Sequence, residues 1–273
     1  MQSTKKSRTG MYAVILTATM ALTLALTRDA AAQTDHFSSE ADSVSGTVTK
    51  TLVGVLPSTV TIAAVDQSNT VDSGSNDDSA ASASQNVFGV DVYNFTNVND
   101  STSDSDAPGT DGGTADAATS NGSLLNGLVT WTSNDDPLAC RPDSSNPEQI
   151  DCTSVGTTQR LAIAGVAVPP ATYPAGSSFP VAGALNDPTC LQGTETFSGT
   201  LVLQESQVTG LGTNHVAIKL TGLHLVGDAT CKSLSLVTLF TTHYDLAVAG
   251  PEEDVNGEVY KEIQFEFEAM DTL

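Results

Sequence analysis

Apolar and polar positions alternate most clearly across residues 196–226. Phe197, Leu201 and Leu203 fall on one face of this stretch, with Ser198, Thr200 and Gln204 on the other. Farther on, Val216, Ile218 and Leu220 alternate with Ala217, Lys219 and Thr221. A period of two places successive side chains on opposite sides of a strand. The interruption at residues 206–214 carries Gly210 and Gly212, so the pattern predicts two strands joined as an antiparallel hairpin with a long loop. Shorter runs with strand character lie at 44–55, 59–65, 86–98, 123–132, 160–168, 234–240, 244–248 and 259–267, the last with Ile263, Phe265 and Phe267 on one face. Asn126-Gly127 marks a tight turn or a bulge. The polar, Asp/Ser/Asn-rich stretches near 66–84, 99–122 and 133–149 read as loops. Residues 99–113 are so acidic and low in complexity that a mobile segment is expected there.

No apolar period of 3.6 residues follows residue 32. The predicted fold is therefore all-β: an antiparallel β-sandwich-like arrangement or a short β-solenoid, with long acidic loops. The solenoid stays open because residues 84–92, 120–129 and 156–166 loosely echo one another.

The chain opens differently. Lys5, Lys6 and Arg8 precede an uncharged apolar run at 11–27, and Ala30-Ala31-Ala32 follows. This is the layout of a cleavable signal peptide over residues 1–32, leaving a single β-rich domain at 33–273. A spanning helix needs about 20 mostly apolar residues; this run is shorter and is diluted by Thr17, Thr19, Thr23 and Thr27. No later run has membrane length, so the mature chain is expected to be secreted, extracellular or attached to a cell surface, with no span of its own.

Charge narrows the partners. The formal net charge is −22, and removing residues 1–32, which carry +3, would leave −25. Such a surface disfavours nucleic acid and anionic membrane as partners. Four cysteines remain after residue 32: Cys140, Cys152, Cys190 and Cys231. An even number in an exported chain suggests two disulfides. Of the three connectivities, nearest-neighbour pairing, Cys140–Cys152 and Cys190–Cys231, is expected. The absence of CxxC spacing argues against a redox motif or a zinc ribbon.

Candidate chemistry is thin. No GxSxG elbow occurs. The histidines are His36, His215, His224 and His243, without an HxH or HExxH pattern. His215 and His224 are an odd number apart and would face opposite sides of one strand, whereas His224 and His243 can meet across neighbouring strands. Glu205 and Asp245 are carboxylates of the kind glycoside hydrolysis uses, but one Trp is few for a sugar cleft, and edge charges that discourage strand aggregation explain Glu205 more simply. No cofactor is expected, with calcium as the exception. Asp104 and Asp106 beside Gly109, with Asp111 following, faintly resemble a calcium loop, although the bidentate Glu is missing.

Residues 161–225 resemble the bacterial exported choice-of-anchor proteins, in particular the P-type family. Leu201-Val202-Leu203-Gln204-Glu205-Ser206 is similar to that family's Val-x-Leu-Asn-Glu-Gln-like strand, with Gln204 and Ser206 departing. Leu220-Thr221-Gly222-Leu223-His224-Leu225 is similar to its Val-Asn-Ala-Leu-His-Val-like strand, with Thr221 and Gly222 departing. Residues 124–130 are similar to its Leu-Gly-Gly-Leu-Val-like repeat. The resemblance implies an exported β protein and brings no catalytic residues. The expected function is a non-enzymatic structural or adhesive module of the cell surface or medium, with extracellular matrix or surface polymers as partners. An extracellular hydrolase without a recognisable motif and a calcium-binding surface protein are the alternatives.

Overall fold

The computed structural model describes residues 35–272, apart from 54, 64, 66, 72, 107–110, 147 and 233–236. The segment read as a signal peptide lies outside the described residues, as does Gly109. The described chain forms eighteen strands: β1 (His36–Leu52), β2 (Ser58–Ile62), β3 (Gln67–Val71), β4 (Gly74–Ala80), β5 (Ala83–Val87), β6 (Val90–Phe95), β7 (Asn97–Ser105), β8 (Gly112–Leu124), β9 (Val129–Pro142), β10 (Gln149–Gln159), β11 (Ala162–Ile163), β12 (Val166–Ala167), β13 (Ala171–Tyr173), β14 (Ser178–Asn186), β15 (Thr194–Thr209), β16 (His215–Lys232), β17 (Thr238–Asn256) and β18 (Glu262–Thr272). They build a sandwich-like pair of sheets, not a solenoid or a closed barrel.

The first sheet has seven strands, ordered β14-β15-β16-β17-β1-β2, with β3 also on β1. The second has eleven, with the path β13-β18-β10-β9-β8-β6-β5; β7 pairs β8 and carries β4, and β11 pairs β9 and carries β12. Pairing is antiparallel except between β10 and β18. The predicted hairpin is β15–β16 and sits inside the first sheet. Its loop is shorter than expected, because β15 continues to Thr209; in its register Leu201 and Leu203 oppose Leu225 and Leu223, while Ile218 opposes Val208.

Three expected loops are strands. The 66–84 stretch holds β3 and β4, the 99–122 stretch is mostly β7 and β8, and β9 carries the 133–149 stretch as far as Pro142. The period of two is present there, but its inward positions are polar. In β7 the buried residues are Val98, Asp100, Thr102 and Asp104. Ser43 Oγ donates to Asp100 Oδ1 at 2.7 Å, and the Thr102 hydroxyl meets those of Ser68 and Thr70. Hydrogen bonds from the opposing sheet replace apolar burial, which is what lets an acidic, Ser/Thr-rich strand lie inside.

Two apolar clusters make up most of the core, and a small third one joins Phe240 to the Cys190–Cys231 pair. The larger joins Val44, Leu201, Leu225 and Leu246 of the first sheet to Val92, Phe95, Leu124 and Trp131 of the second; Trp131 stacks obliquely on Phe95 at 5.7 Å and donates to Thr119 Oγ1 at 2.9 Å. The smaller holds Phe37, Leu138, Ile150, Val216, Ile218, Leu220 and the Cys140–Cys152 pair. Between the clusters the alternation of β15, β16, β17 and β1 changes phase. Leu203 and Gln204, Gly222 and Leu223, Val248 and Ala249, and Ser43 and Val44 are consecutive buried pairs. Gln204 and Ala249 take φ of 47° and 53° to make the change.

A polar belt fills this crease. Asp136 of β9 reaches into it from the other sheet and is fully buried. Asn134 Nδ2 donates to Asp136 Oδ2 at 2.7 Å, and Thr158 Oγ1 donates to Asn134 Oδ1 at 2.6 Å. Glycine makes the room: a Cβ on Gly222 would lie 1.8 Å from Asp136 Oδ2, and one on Gly156 would lie 2.2 Å from Asp136 Oδ1. The same device recurs at Glu253 of β17, where a Cβ on Gly113 would lie 2.0 Å from Oε2.

Candidate functional site

Each cysteine has its expected partner. Cys140 and Cys152 are direct cross-strand neighbours on β9 and β10, with Cα atoms 4.2 Å apart. Cys190, in the β14–β15 connection, joins Cys231 near the end of β16 with a Cα separation of 5.7 Å. Two disulfides and no free cysteine among the described residues place the chain in an oxidising, extracellular-type environment. No helix among the described residues is long and apolar enough to cross a membrane.

The outer face of the first sheet gathers a histidine and two carboxylates. His224 on β16 lies between Glu205 on β15 and Asp245 on β17. Its Nδ1 bonds Glu205 Oε2, and its Nε2 lies 2.8 Å from Asp245 Oδ1. Burial opposes charge on the imidazole, but Asp245 and Glu205 outweigh it and raise its pKa. A catalytic triad orients one imidazole nitrogen with a carboxylate and leaves the other for the nucleophile. Here a carboxylate holds each nitrogen, and the arrangement is a three-strand ion bridge. A shallow cavity of about 270 Å³ beside it is lined by Glu205, Ser206, Gln207, Lys219, Thr221 and His224. His243 is engaged separately, with Nδ1 2.9 Å from Asp228 Oδ1, and does not meet His224. His215 pairs with Asp254 at 3.3 Å.

The calcium candidates do not converge. Asp104 points into the sandwich, where Ser39 N donates to its Oδ2 at 3.3 Å; Ser39 Oγ also bonds it and lies 2.8 Å from Glu253 Oε1. Burial above all, reinforced by Asp104 and Asp254, pushes Glu253 well above the usual carboxylate range. Asp106 turns to His36, 3.2 Å from Nδ1. Asp111 joins Asp104 in lining an open cavity of about 410 Å³ with Arg141 and Asp151. No group of three or more His, Cys, Asp or Glu able to hold a metal ion occurs among the described residues.

The buried ionisable groups belong to no motif in the sequence. Asp136 is pushed well up by burial, and the negative neighbours Asp135 and Asp116 add to this against hydrogen bonds from Asn134 and Gln204. Burial raises Asp42 to about 6, and burial together with Asp135 raises Asp116 to about 7. One signal was in the sequence: Lys50 is the sole lysine between residues 7 and 218 and lies on the inward side of a Thr/Val strand.

No protein-family model matches the chain, and no curated protein matches it.

Proposed function

We propose that the chain is an exported, non-enzymatic β module that works at the cell surface or in the medium and engages surface or matrix polymers. The observation that carries this reading is the outward face of the first sheet. Thr194, Thr196, Ser198 and Thr200 of β15 are exposed in a row, and Thr230, Thr241 and Thr47 lie at half-exposed positions on neighbouring strands. This broad hydroxyl-rich surface suits many weak contacts with an extended polymer better than capture of one small substrate in a concave pocket. The disulfides fit an extracellular setting. The resemblance of the β15 and β16 sequences to choice-of-anchor proteins points the same way.

Fractionation of producing cells, followed by co-sedimentation of the purified protein with isolated wall or matrix polymer, tests the proposal. The protein should appear outside the cytoplasm and sediment with the polymer, and His224→Ala and Glu205→Gln should sediment equally well. Retention in the cytoplasm overturns the proposal. So does a hydrolytic activity that either substitution abolishes in a folded protein, which supports the hydrolase alternative.

A further inference from the structure

Near the C-terminal end of β1, Lys50 turns into the sandwich toward the β14–β15 connection. Its side chain is 8% exposed, and those of Asp187 and Glu195 are 0% and 1% exposed. Nζ lies 3.1 Å from Asp187 Oδ2, 2.7 Å from Thr189 Oγ1 and 3.9 Å from Glu195 Oε1. The Phe240 ring covers the amine, its centroid 3.7 Å from Nζ, and the Phe88 ring follows at 5.5 Å. The Asp187 carboxyl is fixed in position: Thr189 N and Oγ1 both donate to its Oδ1, at 2.7 and 2.6 Å, which leaves Oδ2 facing the amine. Glu195 hydrogen-bonds Asp187, and burial together with Asp187 raises it to about 8, so it holds a proton at neutral pH.

An amine, a carboxyl carbon and a proton donor thus meet in a water-poor site walled by aromatic rings. Held at this distance, a reaction between side chains is intramolecular and avoids the entropic cost that condensation in water carries. We propose that Lys50 and Asp187 condense to an intramolecular isopeptide bond that joins β1 to the β14–β15 connection.

The steps balance without a co-reactant. The ammonium passes a proton to the Asp187 carboxylate, giving a neutral amine and a neutral acid. Nζ attacks Cγ, and the Nζ–Cγ bond forms while the Glu195 carboxyl protonates the carboxyl oxygen that gains charge. One Cγ–O bond then breaks. Water leaves with that oxygen and two protons from nitrogen, and Glu195 regains its proton. An amide and one water replace an ammonium and a carboxylate. The open cavity of about 310 Å³ lined by Lys50, Leu52, Ser58, Phe88, Thr189 and Phe240 gives the water its exit. The bond would fasten the connection that Cys190–Cys231 already ties to β16, and unlike the disulfide it would survive reduction. This goes beyond the proposed surface role and stands or falls separately from it.

Intact-mass spectrometry of the folded, exported protein, after denaturation and disulfide reduction, tests the proposal. The expected mass is one water below that of the unmodified chain, and digestion should release a branched peptide containing Lys50 and Asp187. Lys50→Arg keeps the positive charge but removes the lysine amine, and it should show the unmodified mass. Glu195→Gln keeps both reacting groups and should condense about a hundredfold more slowly or not at all. Circular dichroism confirms that each variant is folded. An unmodified mass in the wild type after long incubation at neutral pH overturns the proposal. A water loss that persists in folded Lys50→Arg, or maps to another residue, also overturns it.

Discussion

Asp136 and Asp187 are both fully buried, yet their surroundings treat them in opposite ways. Asp136 sits in the belt between the two apolar clusters, near amide donors and two further aspartates, and burial drives it well above the usual carboxylate range. At Asp187 burial pushes the same way, but hydrogen bonds from Glu195, Thr189 and Lys50 outweigh it and hold the group at about 2. Burial alone therefore does not set ionisation; the donors and charges built around the group do. In the belt burial favours the uncharged form of the carboxyl. Beside β1 the Asp187 carboxyl faces a buried ammonium with the Glu195 carboxyl at hand, the arrangement from which condensation is proposed.

The sharpest way to break this contrast is to remove one carboxyl and not the other. Asp187→Ala leaves Lys50 buried without its partner, whether that partner is held as an ion or as an amide, and should cost at least about 3 kcal/mol in urea unfolding, as loss of one partner of a buried pair does. A loss below about 1 kcal/mol would mean that Lys50 escapes to solvent easily. Gly222→Ala should come next, at about 1–3 kcal/mol, because its Cβ would fall 1.8 Å from Asp136 Oδ2. The same change in an Asp136→Ala background should cost clearly less. Equal costs in the two backgrounds would show that Gly222 is not there to make room for the acid.

His224→Ala should have the smallest effect, under about 1 kcal/mol, since Glu205 and Asp245 are 50% and 49% exposed and the bridge is screened. Its pH dependence has a definite sign. The folded pKa of His224 is raised, so the bridge contributes fully below the ordinary histidine value of 6.5 and fades as pH climbs through the folded value. The stability difference between wild type and His224→Ala should shrink from pH 6 to pH 9. A difference that grows over this range would reverse the assignment.

The sequence made some of this legible and hid the rest for physical reasons. Leu201, Leu203, Ile218 and Leu220 alternate with polar residues, so their burial followed from periodicity. The disulfide partners followed from nearest-neighbour pairing of four cysteines. Asn126-Gly127 does turn between β8 and β9, with φ of 56° and 81°. Strand β7 was missed because its inward row is Asp100, Thr102 and Asp104, and polarity periodicity cannot separate a hydrogen-bonded interior from a solvated loop. The crease was invisible for a related reason: a phase change at Gln204 and Ala249 looks like the end of a strand. On neighbouring strands His224 and His243 could have met, yet the register sets His224 opposite Ala247 and His243 opposite Asp228. Lys50, Asp187 and Glu195 lie far apart in sequence, and only the sheet order brings them together.

The sandwich interior shifts several of its carboxyl groups toward the protonated form. Asp42 is raised to about 6 and Asp116 to about 7, and Asp136 and Glu253 lie well above their ordinary values, each mainly through burial. The unfolded chain releases these protons near pH 4, so from pH 4 up to the raised values of Asp42 and Asp116, about 6 and about 7, the native state binds more protons than the unfolded one. Stability must then fall with rising pH, by about 1.4 kcal/mol per pH unit for each proton retained. The direct measurement is urea unfolding of wild type and Asp136→Asn at pH 5, 6, 7 and 8. Wild-type stability should decline across the series, and Asp136→Asn, whose amide needs no proton, should cost little at pH 5 and decline less steeply. A wild-type stability that stays flat or rises over this interval, or an Asp136→Asn slope identical to that of the wild type, would contradict it.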